Sequence, residues 1–265
     1  MKKIINILLA VTLTTLLGGC GIRFGVESRR NGWNTGNSAG SHEKVDISEK
    51  MNEINKLDIS ISVSNVDINY YDGEDINISG ELSKYSKGIK TERKSNKLII
   101  IEESEESIKA MDDSASHIAI DIPRSFNGDF DLYFGVGECE INDLVLNNVD
   151  IENGVGELAL NEISFNDLKL ESGVGETTLE TSKKTGNIDI KGGVGETNVS
   201  LGDINGNLKY EGGVGSATIK VPENAPINIT SSAGLGNAKI KAKTSGEAKY
   251  TFDLELGIGD VKVTN

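Results

Sequence analysis

The sequence predicts an all-β fold, a β-solenoid whose parallel strands climb in rungs of about 20 residues. Three observations predict it. Gly135-Val136-Gly137-Glu138 recurs as Gly154-Val155-Gly156-Glu157, Gly173-Val174-Gly175-Glu176 and Gly193-Val194-Gly195-Glu196, then in degraded form at Gly213 to Ser216, Gly234 to Asn237 and Gly257 to Asp260. The flanks of each copy alternate apolar and polar in the same phase: Cys139, Leu158, Thr177, Thr197, Ala217, Ala238 and Val261 form one equivalent set, and Ile141, Leu160, Leu179, Val199, Ile219, Ile240 and Val263 another. The chain also holds 31 glycines against three prolines, a balance that suits strands with glycine-marked corners.

At the N-terminus, Lys2 and Lys3 precede an apolar run from Ile4 to Leu17 that is too short to span a bilayer and reads as a signal-peptide core. Leu17-Gly18-Gly19-Cys20 resembles a bacterial lipobox. That resemblance implies a leader over residues 1–19 and acylation of Cys20, with two or three acyl chains holding the mature protein to the extracytoplasmic face of the cell membrane. Loss of Lys2 and Lys3 with the leader leaves 25 basic against 41 acidic side chains, so a net charge of −14 becomes −16. Such a surface repels nucleic acid and cannot lie flat on anionic lipid.

Residues 20–44, rich in Gly, Ser, Asn and Arg, read as a flexible tether able to span ~25–30 Å, with Trp33 and His42 as solvated members. Residues 45–265 read as the folded domain. Leu57, Ile59, Ile61 and Val63 alternate with polar residues, as do Val66 and Ile68, and again Ile118, Ile120 and Ile122. Ser48 to Asn55 is the one weak helix candidate. Within the repeat, a second strand precedes each Gly-Val-Gly, at Val149 and Ile151, Leu168 and Leu170, Ile188 and Ile190, and Leu208 and Tyr210. Asn148, Asp167, Asn187 and Asn207 stand before these strands at positions tolerant of a left-handed backbone.

A unit of this size cannot bury its own apolar face, so the copies are expected to stack at ~4.8 Å per rung, with equivalent residues above one another. Val136, Val155, Val174, Val194 and Val214 are then expected as one interior ladder, and the Ile141-to-Val263 set as another. Cys139 is expected as a small buried thiol with no disulfide partner, since Cys20 is claimed by lipid.

Stacking also places Glu138, Glu157, Glu176 and Glu196 in one column, where neighbours ~5 Å apart repel by about 0.8 kcal/mol in water. A bridging Ca²⁺ is a candidate reading. Solvated, splayed carboxylates are the expected one, because the Gly-Gly-x-Gly-x-Asp calcium repeat is missing. No catalytic residue and no cofactor is assigned. His117, near Asp112 and Asp113, has no nucleophile paired with it and is expected as a solvated loop or strand-edge residue.

Leu57-Asp58-Ile59-Ser60-Ile61, Ile118-Ala119-Ile120-Asp121-Ile122-Pro123, the Gly-Val-Gly units and Leu254-Glu255-Leu256-Gly257-Ile258-Gly259-Asp260-Val261 together resemble the bacterial putative-adhesin domain of unknown function, the toastrack domain, over roughly residues 45–265. The resemblance implies a right-handed single-stranded β-helix outside the cell, with relatives often encoded beside envelope-stress systems. The expected function is a non-enzymatic, monomeric surface lipoprotein for adhesion or envelope interactions, with envelope or surface proteins as partners. The alternatives are an accessory of an envelope-stress response and a carbohydrate-active β-helix enzyme.

Overall fold

A computed structural model describes residues 43–104 and 115–265. They lie within one compact unit, Gly40–Asn265. Cys20, Trp33, His42, Asp112 and Asp113 lie outside the described residues, as do the leader and nearly all of the tether.

All the regular structure described is β: β1 (Glu43–Lys50), β2 (Lys56–Tyr71), β3 (Asp75–Leu82), β4 (Ser86–Lys94), β5 (Lys97–Ser104), β6 (Ser116–Pro123), β7 (Asp129–Asn142), β8 (Asn148–Asn161), β9 (Phe165–Ile204), β10 (Leu208–Lys220), β11 (Ile227–Ile240) and β12 (Tyr250–Thr264). The helix candidate at Ser48 to Asn55 is instead the end of β1 followed by a turn. The alternation of Val45 and Ile47 against polar neighbours outweighs the weak helical pattern there.

β2, β7, β8, β9 and β10 stack in parallel with equivalent residues in register: Ile59 beside Leu132, Leu132 beside Ile151, Ile151 beside Leu170 and Ile190 beside Tyr210. Each rung of the solenoid has two straight runs meeting at the Gly-Val-Gly corner. A short return over Leu144 and Leu146, repeated at Ile163 and Phe165, then buries a third set of side chains. Each buried Leu, Ile or Phe in these columns is worth about 1.5–3 kcal/mol of transfer free energy. Since every column continues into the next rung, each rung shields its neighbours.

The interior confirms the Ile141 set, buried at Ile141, Leu160, Leu179, Val199, Ile219 and Val263, and the Cys139 set at Cys139, Leu158, Thr177, Thr197, Ala217 and Val261. It corrects the valines. Val155, Val174, Val194 and Val214 are 40–52% exposed and form an outer ridge rather than an interior ladder. The inward positions run 130, 132, 134 before the corner and 139, 141 after it, so their parity switches between Gly135 and Gly137. Val136 cannot be in phase with both runs and stands at the convex vertex.

A second correction concerns Asn148, Asp167, Asn187 and Asn207. None has positive φ; the left-handed non-glycine positions lie elsewhere, at Asp143 and Glu162 among others. Instead these side chains tie rung to rung. Asn148 Nδ2 donates to Asp129 Oδ1 at 2.9 Å, Asn187 Nδ2 to Asp167 Oδ1 at 2.9 Å, and the Asn207 backbone N–H to Asn187 Oδ1 at 3.0 Å. A second amide ladder runs from Asn161 through Asn142 to Asn69.

The two ends depart from simple stacking. At the N-terminal end the first half of β2 pairs with β5 and the second half with β6, both in parallel; β4 then adds to β5, β3 to β6 and β1 to β3, all antiparallel. Glu102 sits where the two wings separate, 1% exposed, accepting from the Ser62 backbone N–H at 3.0 Å and from Ser86 Oγ at 2.7 Å. At the C-terminal end the strand order is β10-β12-β11, so the last copy of the repeat is inserted beneath the one that precedes it in sequence. β11 therefore lies outermost, which leaves Ala238 and Ile240 exposed, against the expectation that both are interior.

Candidate interaction surface

The corner is built by glycine. The second glycine of each unit has φ between 130° and 147°, a region closed to other residues, at Gly137, Gly156, Gly175, Gly195, Gly215, Gly236 and Gly259. A Cβ at Gly156 would fall 1.9 Å from the Gly137 carbonyl oxygen, and one at Gly175 1.9 Å from that of Gly156. Backbones thus approach closely at the vertex, and the residue between the glycines is pushed outward.

The result is a continuous apolar ridge in register: Val63, Val136, Val155, Val174, Val194, Val214, Ile258 and Leu235. Gly193 and Gly195 stacking on Gly173 and Gly175 carries it through β9. The exchange of β11 and β12 leaves it unbroken, because Ile258 fills the place between Val214 and Leu235. At ~4.8 Å per rung, eight side chains span about 34 Å.

Charge borders the ridge on both sides. On one side Glu138, Glu157, Glu176 and Glu196 form the expected column, all exposed, with Asn198 Nδ2 donating to Glu176 Oε1 at 3.3 Å. Among the described residues no three His, Cys, Asp or Glu side chains converge as a metal site. On the other side Tyr133, Glu152, Glu171, Lys191, Glu211 and Glu255 form a column of their own. There Lys191 Nζ lies 3.0 Å from Glu171 Oε1 and holds that carboxyl below its ordinary range.

Further along the same face, Lys56, Asp131, Asp150, Lys169, Asp189 and Lys209 line a shallow open groove. Lys56 pairs with Asp131 and Lys169 with Asp150, whereas Asp189 Oδ1 is buried without a hydrogen-bond partner. The Lys56 ammonium is raised above its ordinary value, chiefly by its hydrogen bond to Asp131.

The other sequence candidates fall outside this surface. Cys139 is buried, and burial pushes its thiol up to about 12. His117 is exposed in β6, with Nε2 3.5 Å from Asn65 Nδ2. Reading the valines as core hid the ridge; the parity of the inward positions across the two glycines is the signal that marks them as outward.

Residues 35–180 match the family described as the N-terminal domain of toast_rack, DUF2154. No curated protein matches the chain. Among solved structures, a "putative adhesin" from Bacteroides fragilis NCTC 9343 aligns over 84% of this chain and 98% of its own, at 22% identity and a TM-score of 0.54. A "putative adhesin" from Parabacteroides distasonis ATCC 8503 covers 84% of this chain and 98% of its own at 11% identity and a TM-score of 0.43. A "putative cell adhesion protein" from Clostridium sporogenes ATCC 15579 covers 84% and 99% at 14% identity and 0.39.

Proposed function

The chain belongs to the toast-rack family, and from that premise we propose that it is a non-enzymatic, adhesin-like interaction module, held by lipid on Cys20 at the extracytoplasmic face of the membrane. The observation that carries this reading is the valine ridge. Eight apolar side chains in line, most of them nearly half exposed, are unusual on a chain of such high net charge. Bordered by acidic columns, the ridge suits a partner protein bearing an apolar strip flanked by Lys and Arg. The apolar strip supplies affinity and the charges supply register and encounter rate. Lipid on Cys20 would hold the chain at the membrane, and its net negative charge would keep the body off anionic headgroups.

The test replaces Val155, Val174 and Val194 together by Ser. Compared without the acyl chains, so that insertion into lipid does not mask the contact, binding to isolated cell envelopes is expected to fall at least about tenfold, a loss of 1.4 kcal/mol or more, with the melting temperature unchanged. Equal binding by the wild type and the triple variant overturns the ridge as the contact surface. Replacing Cys20 by Ala tests the anchor: the protein is expected in the medium instead of the detergent-extracted membrane fraction.

A further inference from the structure

β11 closes the stack with one edge paired to β12 and no described strand on the other. The remaining edges of the sheet are dressed in charge. β1 carries Glu43, Lys44, Asp46, Glu49 and Lys50, and β4 carries Lys87, Lys90, Arg93 and Lys94 with a register shift between Ser86 and Ile89. Such devices blunt edge-to-edge pairing. β11, with the sequence INITSSAGLGNAKI, has neither proline nor bulge and one charge, Lys239. It alone among the twelve described strands contains no acidic residue. The core column that ends on it is left open: Ile240 is 46% exposed, whereas Val263 one rung below is fully covered, and Leu235 at the end of the ridge is 70% exposed.

We propose that β11 is a docking edge for a second copy of this chain, the two solenoids joining end to end about a two-fold axis with β11 antiparallel to its counterpart. A closed two-fold pair is the commonest homo-oligomer, and two identical strands related by it through their edges run antiparallel. Charge selects the occupant. Two copies of any other strand would bring carboxylates of a strongly acidic protein together, and β11 brings none. In the register that sets Ile229 opposite Ile240, the inward columns of one copy continue into the other. Lys239 then faces Thr230 and Lys241 faces Asn228, so no lysine opposes a lysine. The two Leu235 side chains meet near the axis, and the apolar ridge runs on into the second copy. This departs from the monomer expected from the sequence and is independent of which partner the ridge binds.

The experiment uses the full lipoprotein in its own membrane. Leu235→Cys places the one accessible thiol beside the axis, since Cys139 is buried and Cys20 is acylated. Oxidation is expected to give a disulfide-linked homodimer on non-reducing gels. Val194→Cys, mid-ridge, is expected to give none. Adding Ile240→Glu to Leu235→Cys restores an acid to the edge and is expected to reduce crosslinking about tenfold, with an unchanged melting temperature as the folding control. Leu235→Cys remaining monomeric, crosslinking to a different protein, or crosslinking equally with Ile240→Glu present would each overturn the proposal.

Discussion

Gly259 stacks directly on Gly215: a Cβ on Gly259 would lie 1.7 Å from the Gly215 carbonyl oxygen. Gly236, which falls between them in the sequence, lies on the far side of Gly259. The chain passes over one empty rung to form β11 and fills it with its last strand. Asn265 fastens the arrangement, with Nδ2 donating to the carbonyl oxygens of Val221 and Pro222 at 3.3 Å and 3.1 Å, and Oδ1 accepting from the Lys243 N–H at 2.7 Å.

This order makes the C-terminal strand more protected than the strand before it. β12 has a partner on each side and buries Phe252, Leu254, Leu256, Val261 and Val263, while β11 has one partner and an open face. Hydrogen exchange should show β12 amides exchanging at the rate of β9 and β10, and the outer amides of β11 exchanging faster, because local opening of an edge exposes less surface. Slower exchange in β11 than in β12 would contradict the strand order.

The corner separates three neighbouring positions. Val174→Ala on the ridge should change stability by less than about 0.5 kcal/mol, as exposed substitutions do. Leu179→Ala, in a fully buried column, should cost about 2–5 kcal/mol. Gly175→Ala, at φ 136° and against the Gly156 carbonyl, should cost at least about 2 kcal/mol from backbone strain and steric conflict. Urea unfolding of the three variants checks the ranking; a large loss at Val174 would return that side chain to the core.

The sequence made the rung visible because period-2 alternation and glycine spacing are local. Ile141, Leu160 and Leu179 hold the same place in successive copies and are buried as expected. The direction of Val136 depends on how the backbone turns between two glycines, and alternation on either side gives opposite answers there. The β10-β12-β11 order was hidden for a different reason: Gly236 and Gly259 carry equivalent motifs, so periodicity is the same whichever copy stacks first. Only the longer intervals before them hinted at a detour. The wings of β3 and β4 lie outside the repeat, where pairing is set by long-range closure.

Asn153 is an interior position where polarity lacks compensation on both side-chain polar atoms. It sits between Phe134 and Ser172 in the stack, 4% exposed, and neither its Oδ1 nor its Nδ2 has a hydrogen-bond partner. Asn153→Leu keeps the size and removes two unsatisfied groups, so it should stabilise the protein by about 1–3 kcal/mol. A lower melting temperature in the variant would mean that the amide is satisfied.

Cys139 should be chemically silent in the folded protein. Its thiol is buried, and burial, with Asp67 and Glu140 adding to the effect, raises its pKa to about 12, so almost no thiolate exists at pH 8. A thiol reagent should find no free thiol in the native acylated chain and one after unfolding. Reaction of the native protein would show that the Cys139 column opens readily.

Asp143 should carry a small part of the pH dependence of stability. It occupies a left-handed position, φ 62°, and its carboxylate is held by Lys183 and by Arg124 Nη1 at 2.7 Å. The hydrogen bond from Lys183, then that from Arg124, lowers its pKa below the ordinary 3.8. A carboxyl with a lowered folded-state pKa contributes its stability above the unfolded value and loses it as pH falls through the folded one. The side chain is 46% exposed, so screening keeps the contribution to about 0.5 kcal/mol. Asp143→Asn keeps a residue that tolerates the left-handed backbone. It should therefore be less stable than the wild type at pH 7, with the gap closing below pH 3.8. Denaturant midpoints measured at both ends of that range test the sign, and a gap that persists in acid would assign the effect to the turn instead of the charge.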